Sequence, residues 1–225
     1  MRIKKLSRAY SGSTYIVRAE GRSDCILIDA GVPTSYVGEE SPVAVLLTHG
    51  HFDHILELER IRERFNAPVY IHAQEQEYLT TPALSLFAMI PSMEKTRMRP
   101  AEHIFEDGQT LELAGLVIRV LHTPGHTRGS CCFDITDPAA KSAEEFDEHR
   151  SVAVLSRALF TGDTLFASAI GRTDFPGSSY PTMLQSLKRL EGFASTNGAL
   201  PIFPGHEEFS RLSSALNAVA HFLNG

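Results

Sequence analysis

The sequence predicts an α/β sandwich with mixed sheets inside and helices outside, built as one domain over residues 1–225. Three observations predict it. Short apolar runs of β type are closed by turn signals, stretches of helical period follow them, and the same order then returns in a second round. No linker-like change of composition, short repeat or low-complexity tract interrupts the chain.

The first strands are TYIVRA, DCILIDAG and VAVLLTHG. From Asp53 the period changes: HILELERIRERF sets Ile55, Leu58, Ile61 and Phe65 on one helical face with charges opposite, and Asp53 stands where an N-cap is expected. Pro68 opens a further strand, VYIH, and AQEQEYL reads as a helix. Residues 80–100 are less regular. Within them ALSLFAMIPSMEKTRM (83–98) offers Met and Phe either as a flexible apolar wall beside a site or as helix packing. Strands resume at LVIRVLH, SCCFDI and RALFTGD, and ALPIFPG forms one more between the helices PTMLQSLKRLEGF and EEFSRLSSALNAVAHFL. Adjacent Cys131 and Cys132 on a strand point to opposite faces, which suits small core residues. The acidic stretch DPAAKSAEEFDEHRS, residues 137–151, reads as a solvated excursion between two strands.

A hydrophobic content of 43% with 21% charged residues is ordinary for a packed globular protein. The net charge of −6, without clustered Lys and Arg, argues against nucleic acid and anionic membrane surfaces as partners. No apolar run of about 18 residues occurs and no apolar segment follows the basic N-terminal residues, so a cytoplasmic protein is expected. Three cysteines with no CxxC pair suit neither a disulfide framework nor a thiolate zinc site.

The densest chemistry lies in THGHFDH, residues 48–54, where a strand ends and a helix begins. His49, His51, Asp53 and His54 surround one strand end, and imidazole and carboxylate are the ligands that zinc, iron and manganese accept. His126 in HTPGHTRGS, Asp163 in LFTGDTLF and His206 in FPGHEEF occupy tight Gly-containing turns at three other strand ends. Each alone is a weak signal. Together the seven supply five His and two Asp, enough for two metal ions. His54 and His206 are expected on surface loops, and His72, His103, His122, His149 and His221 are expected to have packing or surface roles.

The HxHxDH pattern followed in order by His126, Asp163 and His206 resembles the metallo-β-lactamase superfamily, from about residue 10 to His206. The resemblance implies a four-layer αββα sandwich of two similar halves. It also implies a ligand assignment: His49, His51 and His126 for a first metal, Asp53, His54 and His206 for a second, and Asp163 bridging them. Two divalent ions are then expected, zinc foremost, with iron or manganese also compatible. Such a site suits attack of a bridging hydroxide on a carbonyl, with Asp53 orienting the water as the catalytic carboxylate. The β-lactamases themselves typically carry Arg at the position of His54, which disfavours a β-lactamase.

The run GDTLFASAIGRTDFPGSS, 162–179, looks like the glyoxalase II (hydroxyacylglutathione hydrolase) branch, especially its short relatives, and implies a small-molecule thioester as substrate. Where full-length glyoxalase II carries a Lys and a Tyr that help bind glutathione, this chain has Arg172 and Asp174. Arg172 either grips a substrate carboxylate or pairs with Asp174. Two other classes stay open. Persulfide dioxygenases share this fold and the GRTD run, and that resemblance implies a single iron on His49, His126 and Asp163. A non-catalytic metal-binding module is disfavoured because the set has no Cys and leaves room for water. Lactone or other ester cleavage also lies within the superfamily's range.

Overall fold

The computed structural model describes residues 1–141 and 143–223. One sheet has seven strands in the order β10-β1-β2-β3-β4-β5-β6. These are β1 (Arg2–Leu6), β2 (Thr14–Arg18), β3 (Asp24–Ile28), β4 (Ser41–Leu46), β5 (Val69–His72), β6 (His103–Phe105) and β10 (Val152–Val154). β10-β1-β2-β3 pair antiparallel and β3-β4-β5-β6 parallel. The other sheet has six strands, β13-β12-β11-β9-β8-β7. They are β7 (Thr110–Leu113), β8 (Leu116–His122), β9 (Cys131–Thr136), β11 (Arg157–Gly162), β12 (Pro201–Pro204) and β13 (Ser210–Arg211). The helices are α1 (Phe52–Ile55), α2 (Leu58–Phe65), α3 (Gln76–Thr80), α4 (Tyr180–Asn197), α5 (Leu212–Ala218) and α6 (Ala220–Leu223).

Alternation along the strands sorts the side chains into three cores. Ile26, Ile28 and Leu46 from the first sheet meet Ile118, Phe133 and Phe160 from the second in the layer between the sheets. Cys25, Leu27 and Val45 point the other way, against Ile55, Leu58 and Ile61 of α1 and α2. On the far side Cys132, Leu159 and Ile202 pack against Met183, Leu187 and Leu190 of α4 and Leu212 of α5. Both faces of the central strands are therefore apolar, which explains their continuous hydrophobic runs. The layers are α, β, β, α. Cys131 lies in the inter-sheet core and Cys132 in the outer one, so the two thiols do face opposite sides. Among the described residues no helix is long and apolar enough to cross a membrane.

Three elements differ from expectation. The single helix expected from Asp53 is two, and the N-cap position falls on His51, which makes no side-chain cap bond. The reason is competition for its backbone: the Asp53 and His54 carbonyls accept from the Gly12 and Ala30 amides, while the Glu57 amide donates to the Ala30 carbonyl. Residues 207–209 are irregular, and the last helices begin only at Leu212. In the acidic 137–151 stretch, where Ser142 lies outside the described residues, exposure dominates, but Phe146 stacks on Phe209 and contacts Phe203.

Candidate metal centre

β8 and β11 both run antiparallel to β9, and β12 runs parallel to β11. The C-terminal ends of β8, β11 and β12 therefore lie along one edge of their sheet. His126, Asp163 and His206 follow those ends, and His49, His51, Asp53 and His54 follow the end of β4 in the other sheet. The seven side chains converge across the seam.

His49, His51 and His126 form one group of ligand atoms lying within 4.8 Å of one another, and Asp53, His54 and His206 form another. His51 Nδ1 is 2.8 Å from His126 Nε2, and His206 Nε2 is 3.1 Å from Asp53 Oδ2. Asp163 stands between the groups: its Oδ2 is 3.5 Å from both His126 Nε2 and His206 Nε2, and its Oδ1 is 3.2 Å from His54 Nε2. That last approach lacks hydrogen-bond alignment. His54 Nε2 and Asp163 Oδ1, with His49 Nε2 and His51 Nε2, are buried polar atoms without a hydrogen-bond partner. Such atoms are costly in a protein interior unless something else engages them. Imidazole nitrogen and carboxylate oxygen are what divalent transition metals bind, so the donor set fits metal ions.

Electrostatics point the same way. Burial, followed by the neighbouring imidazoles, holds His49 well below its ordinary pKa and brings His51 down to about 3, and burial also lowers His126. All three are held in the neutral form that binds metal. His54 is the opposite case. Burial opposes its charge, yet Asp163, Asp29 and Asp53 overcome that and raise it well above the ordinary histidine value. The site demands positive charge at this point. Two glycines make room here, since a Cβ on Gly12 would lie 2.5 Å from His54 Nε2 and one on Gly205 2.1 Å from Asp163 Oδ1.

The expected surface placement of His54 is wrong: its side chain is fully buried, because the carboxylates that partner it lie inside the seam. His206 is the open member, with its side chain 37% exposed. Arg172 reaches Asp174 with two bonds of 2.9 and 2.7 Å at an exposed position on the rim and stacks over Phe175. Its backbone carbonyl accepts from His126 Nδ1 at 2.8 Å, which turns Nε2 toward the centre. In the 83–98 segment Leu86 lines the cavity over the site, whereas Phe87 is buried in the outer core and Met89 is exposed. Of the histidines outside the set, His72 stacks on His122 and His103 on Tyr70.

Two acidic residues behind the ligands escaped the sequence reading. Asp29, at φ 61°, has Oδ2 2.8 Å from His54 Nδ1 and accepts from the Thr48 amide and hydroxyl, each at 2.8 Å. In the sequence it is only an Asp-Ala-Gly turn signal after an apolar run. Glu75 looks like a surface charge in AQEQEYL but is fully buried, and its two oxygens accept from the Gly50 and Gly129 amides at 2.8 Å each. It ties the turn of His49 and His51 to the turn after His126. Burial pushes its carboxyl up to about 7, from an ordinary 4.5. Glu75→Gln turns an amide NH2 toward one of those backbone N–H groups and is expected to cost about 1–3 kcal/mol. The folded-state pKa exceeds the unfolded one, so the parent's stability contribution is full below about 4.5 and is lost as pH rises through about 7. The gap between parent and variant should therefore narrow from pH 5 to pH 8 in denaturant titrations; a gap that widens would refute the reading.

Residues 8–138, more than half of the chain, match the family model described as the metallo-beta-lactamase superfamily. The chain is 32% identical over 169 residues to "Probable metallo-hydrolase YqgX" of Bacillus subtilis (strain 168), covering 72% of this chain and 71% of that protein. Among solved structures it resembles the BLEG-1 B3 metallo-beta-lactamase, with TM-score 0.80 and 25% identity over 99% of this chain and 100% of that one. It also resembles TTHA1623 in a di-iron-bound form, with TM-score 0.68 and 28% identity over 93% and 94% of the two chains. With its four layers, its seven converging ligand-type side chains and a family model matched from residue 8 to residue 138, the chain belongs to the metallo-beta-lactamase superfamily.

Proposed function

We propose that this metal-dependent hydrolase cleaves a small-molecule thioester at a centre of two divalent ions, one held by His49, His51 and His126 and the other by Asp53, His54 and His206, with Asp163 shared. The observation that carries the reading is the pair of three-ligand groups joined by one carboxylate, beneath an open cavity. Bound there, divalent cations acidify water and polarise a carbonyl.

The chain's own residues supply the rest. Asp53 is 18% exposed at the cavity floor, which leaves its carboxylate able to orient the attacking water and take its proton. Phe166 and Phe175 flank the ligands edge-on, against His206 and His51, and keep bulk water from the reacting carbonyl. Water adds to the carbonyl carbon, the C–S bond breaks, and thiolate and carboxylic acid leave. The GRTDFPG run supports the glyoxalase II-like branch. Asp174 competes for Arg172, the cation that a carboxylate-bearing carrier such as glutathione would use. The likeness to BLEG-1 favours one other acyl donor for the same attack, a β-lactam, so a cephalosporin belongs in the assay.

The test combines metal content with anaerobic turnover. Zinc-loaded protein is expected to hold close to two ions per chain and to hydrolyse thioesters without oxygen, since zinc has no redox chemistry. One ion per chain, with oxygen uptake by the iron-loaded protein given glutathione persulfide and no anaerobic hydrolysis, would assign the persulfide dioxygenase reaction instead.

A further inference from the structure

The cavity above the ligands has a volume of about 250 Å³. Apart from the ligands and Arg172, the residues that line it are apolar: Phe52, Leu86, Phe166, Ile170 and Phe175, with Gly171 between them. Arg172 is the one other polar side chain in that lining; Asp174 engages its Nε and Nη2, and its Nη1 stays open at the exposed rim. Among the described residues that line the cavity, Arg172 at the rim is the one side chain beyond the ligands that carries a hydrogen-bonding group.

Leu86 shows that this lining is built in. It sits at φ 65°, a conformation leucine rarely adopts, and yet it is 4% exposed with its side chain at the cavity. The neighbouring backbone holds it there through Phe52 N–H to the Ser85 carbonyl at 2.8 Å and Met89 N–H to the Leu86 carbonyl at 3.0 Å. Phe52 in turn packs on the buried Phe87. A polar turn would reach the same backbone conformation at lower cost with Gly or Asn.

We propose that the acyl half of the substrate is a small apolar alkyl or aryl group rather than a 2-hydroxyacyl group. This rests on the thioester reading. An apolar acyl chain gains from transfer out of water, whereas a hydroxyl placed in this space loses its water partners without replacement. The thiol half then extends past Arg172 toward solvent and is weakly selected.

The experiment uses zinc-loaded protein and N-acetylcysteamine thioesters with acetyl, butyryl, hexanoyl, phenylacetyl and 2-hydroxybutyryl groups. Each kcat/KM is divided by the rate of alkaline hydrolysis of the same compound. The expected result is a rise of about fourfold per added methylene up to hexanoyl, with 2-hydroxybutyryl about tenfold below butyryl. Exchanging the thiol at constant acyl group should change the ratio much less. Leu86→Ser should flatten the chain-length dependence, and the parent series decides the matter if that variant does not fold. A flat or inverted series, or 2-hydroxybutyryl ahead of butyryl, overturns the acyl assignment while leaving thioester hydrolysis standing. No turnover of any member, acetyl included, overturns both.

Discussion

His54→Ala is expected to abolish measurable hydrolysis and also to destabilise the metal-free fold by about 3–5 kcal/mol. The two losses share one cause. His54 is fully buried with Nδ1 2.8 Å from Asp29 and Nε2 3.2 Å from Asp163, so alanine removes the imidazole that two buried carboxylates share. The same substitution removes a donor from the second ligand group, which should cost more than the roughly 10–100-fold typical of residues that only support a ligand. Urea unfolding of the metal-free proteins and kcat/KM after metal reloading measure the two effects separately. Near-parental activity after reloading would exclude His54 from the working centre. His206→Ala is the contrast, because His206 is partly exposed and its loss should reach activity with a much smaller effect on unfolding.

Asp29→Asn should lower metal affinity by about 10–100-fold while the chain still folds. Asn tolerates the left-handed backbone that Asp29 adopts at φ 61°, and its amide oxygen can still accept from Thr48. What disappears is the charge behind His54 Nδ1, which fixes the imidazole and raises its basicity toward a cation on the other nitrogen. Asp29→Ala should fold less well, since it adds left-handed strain of about 1–2 kcal/mol. Competition with a coloured chelator gives the affinity directly. An unchanged affinity for Asp29→Asn would reduce this residue to a turn former.

The contrast between these residues shows what the sequence can carry. His49, His51, Asp53 and His54 are legible because a strand end and a helix start place four ligand-type side chains within six residues, so local chemistry and local geometry coincide. His126, Asp163 and His206 are each ordinary turn residues, and only the directions of β8, β11 and β12 bring them together. The resemblance supplied that information in advance. Asp29 and Glu75 had no such signal, since their importance comes from partners 19 to 54 positions away. The central strands were legible from their apolar runs. Short edge strands such as β6 and β13 were not, because three or two residues present too little pattern. The break between α1 and α2 was hidden for a different reason: the amides of Gly12 and Ala30 outcompete the helix for its own carbonyls.

Both ligand groups straddle the seam. His49 and His51 come from the first sheet's loops and His126 from the second's, while Asp53 and His54 are joined there by His206. An ion held by either group therefore favours only the state in which the two sheets are docked, and it gains nothing from a chain that has formed one half. If the sheets dock after the barrier to folding, stabilisation of that kind shows itself in how slowly the native state opens. Side chains proposed for the reaction would thus also lengthen the lifetime of the folded state, and metal starvation would shorten that lifetime as well as silence the chemistry.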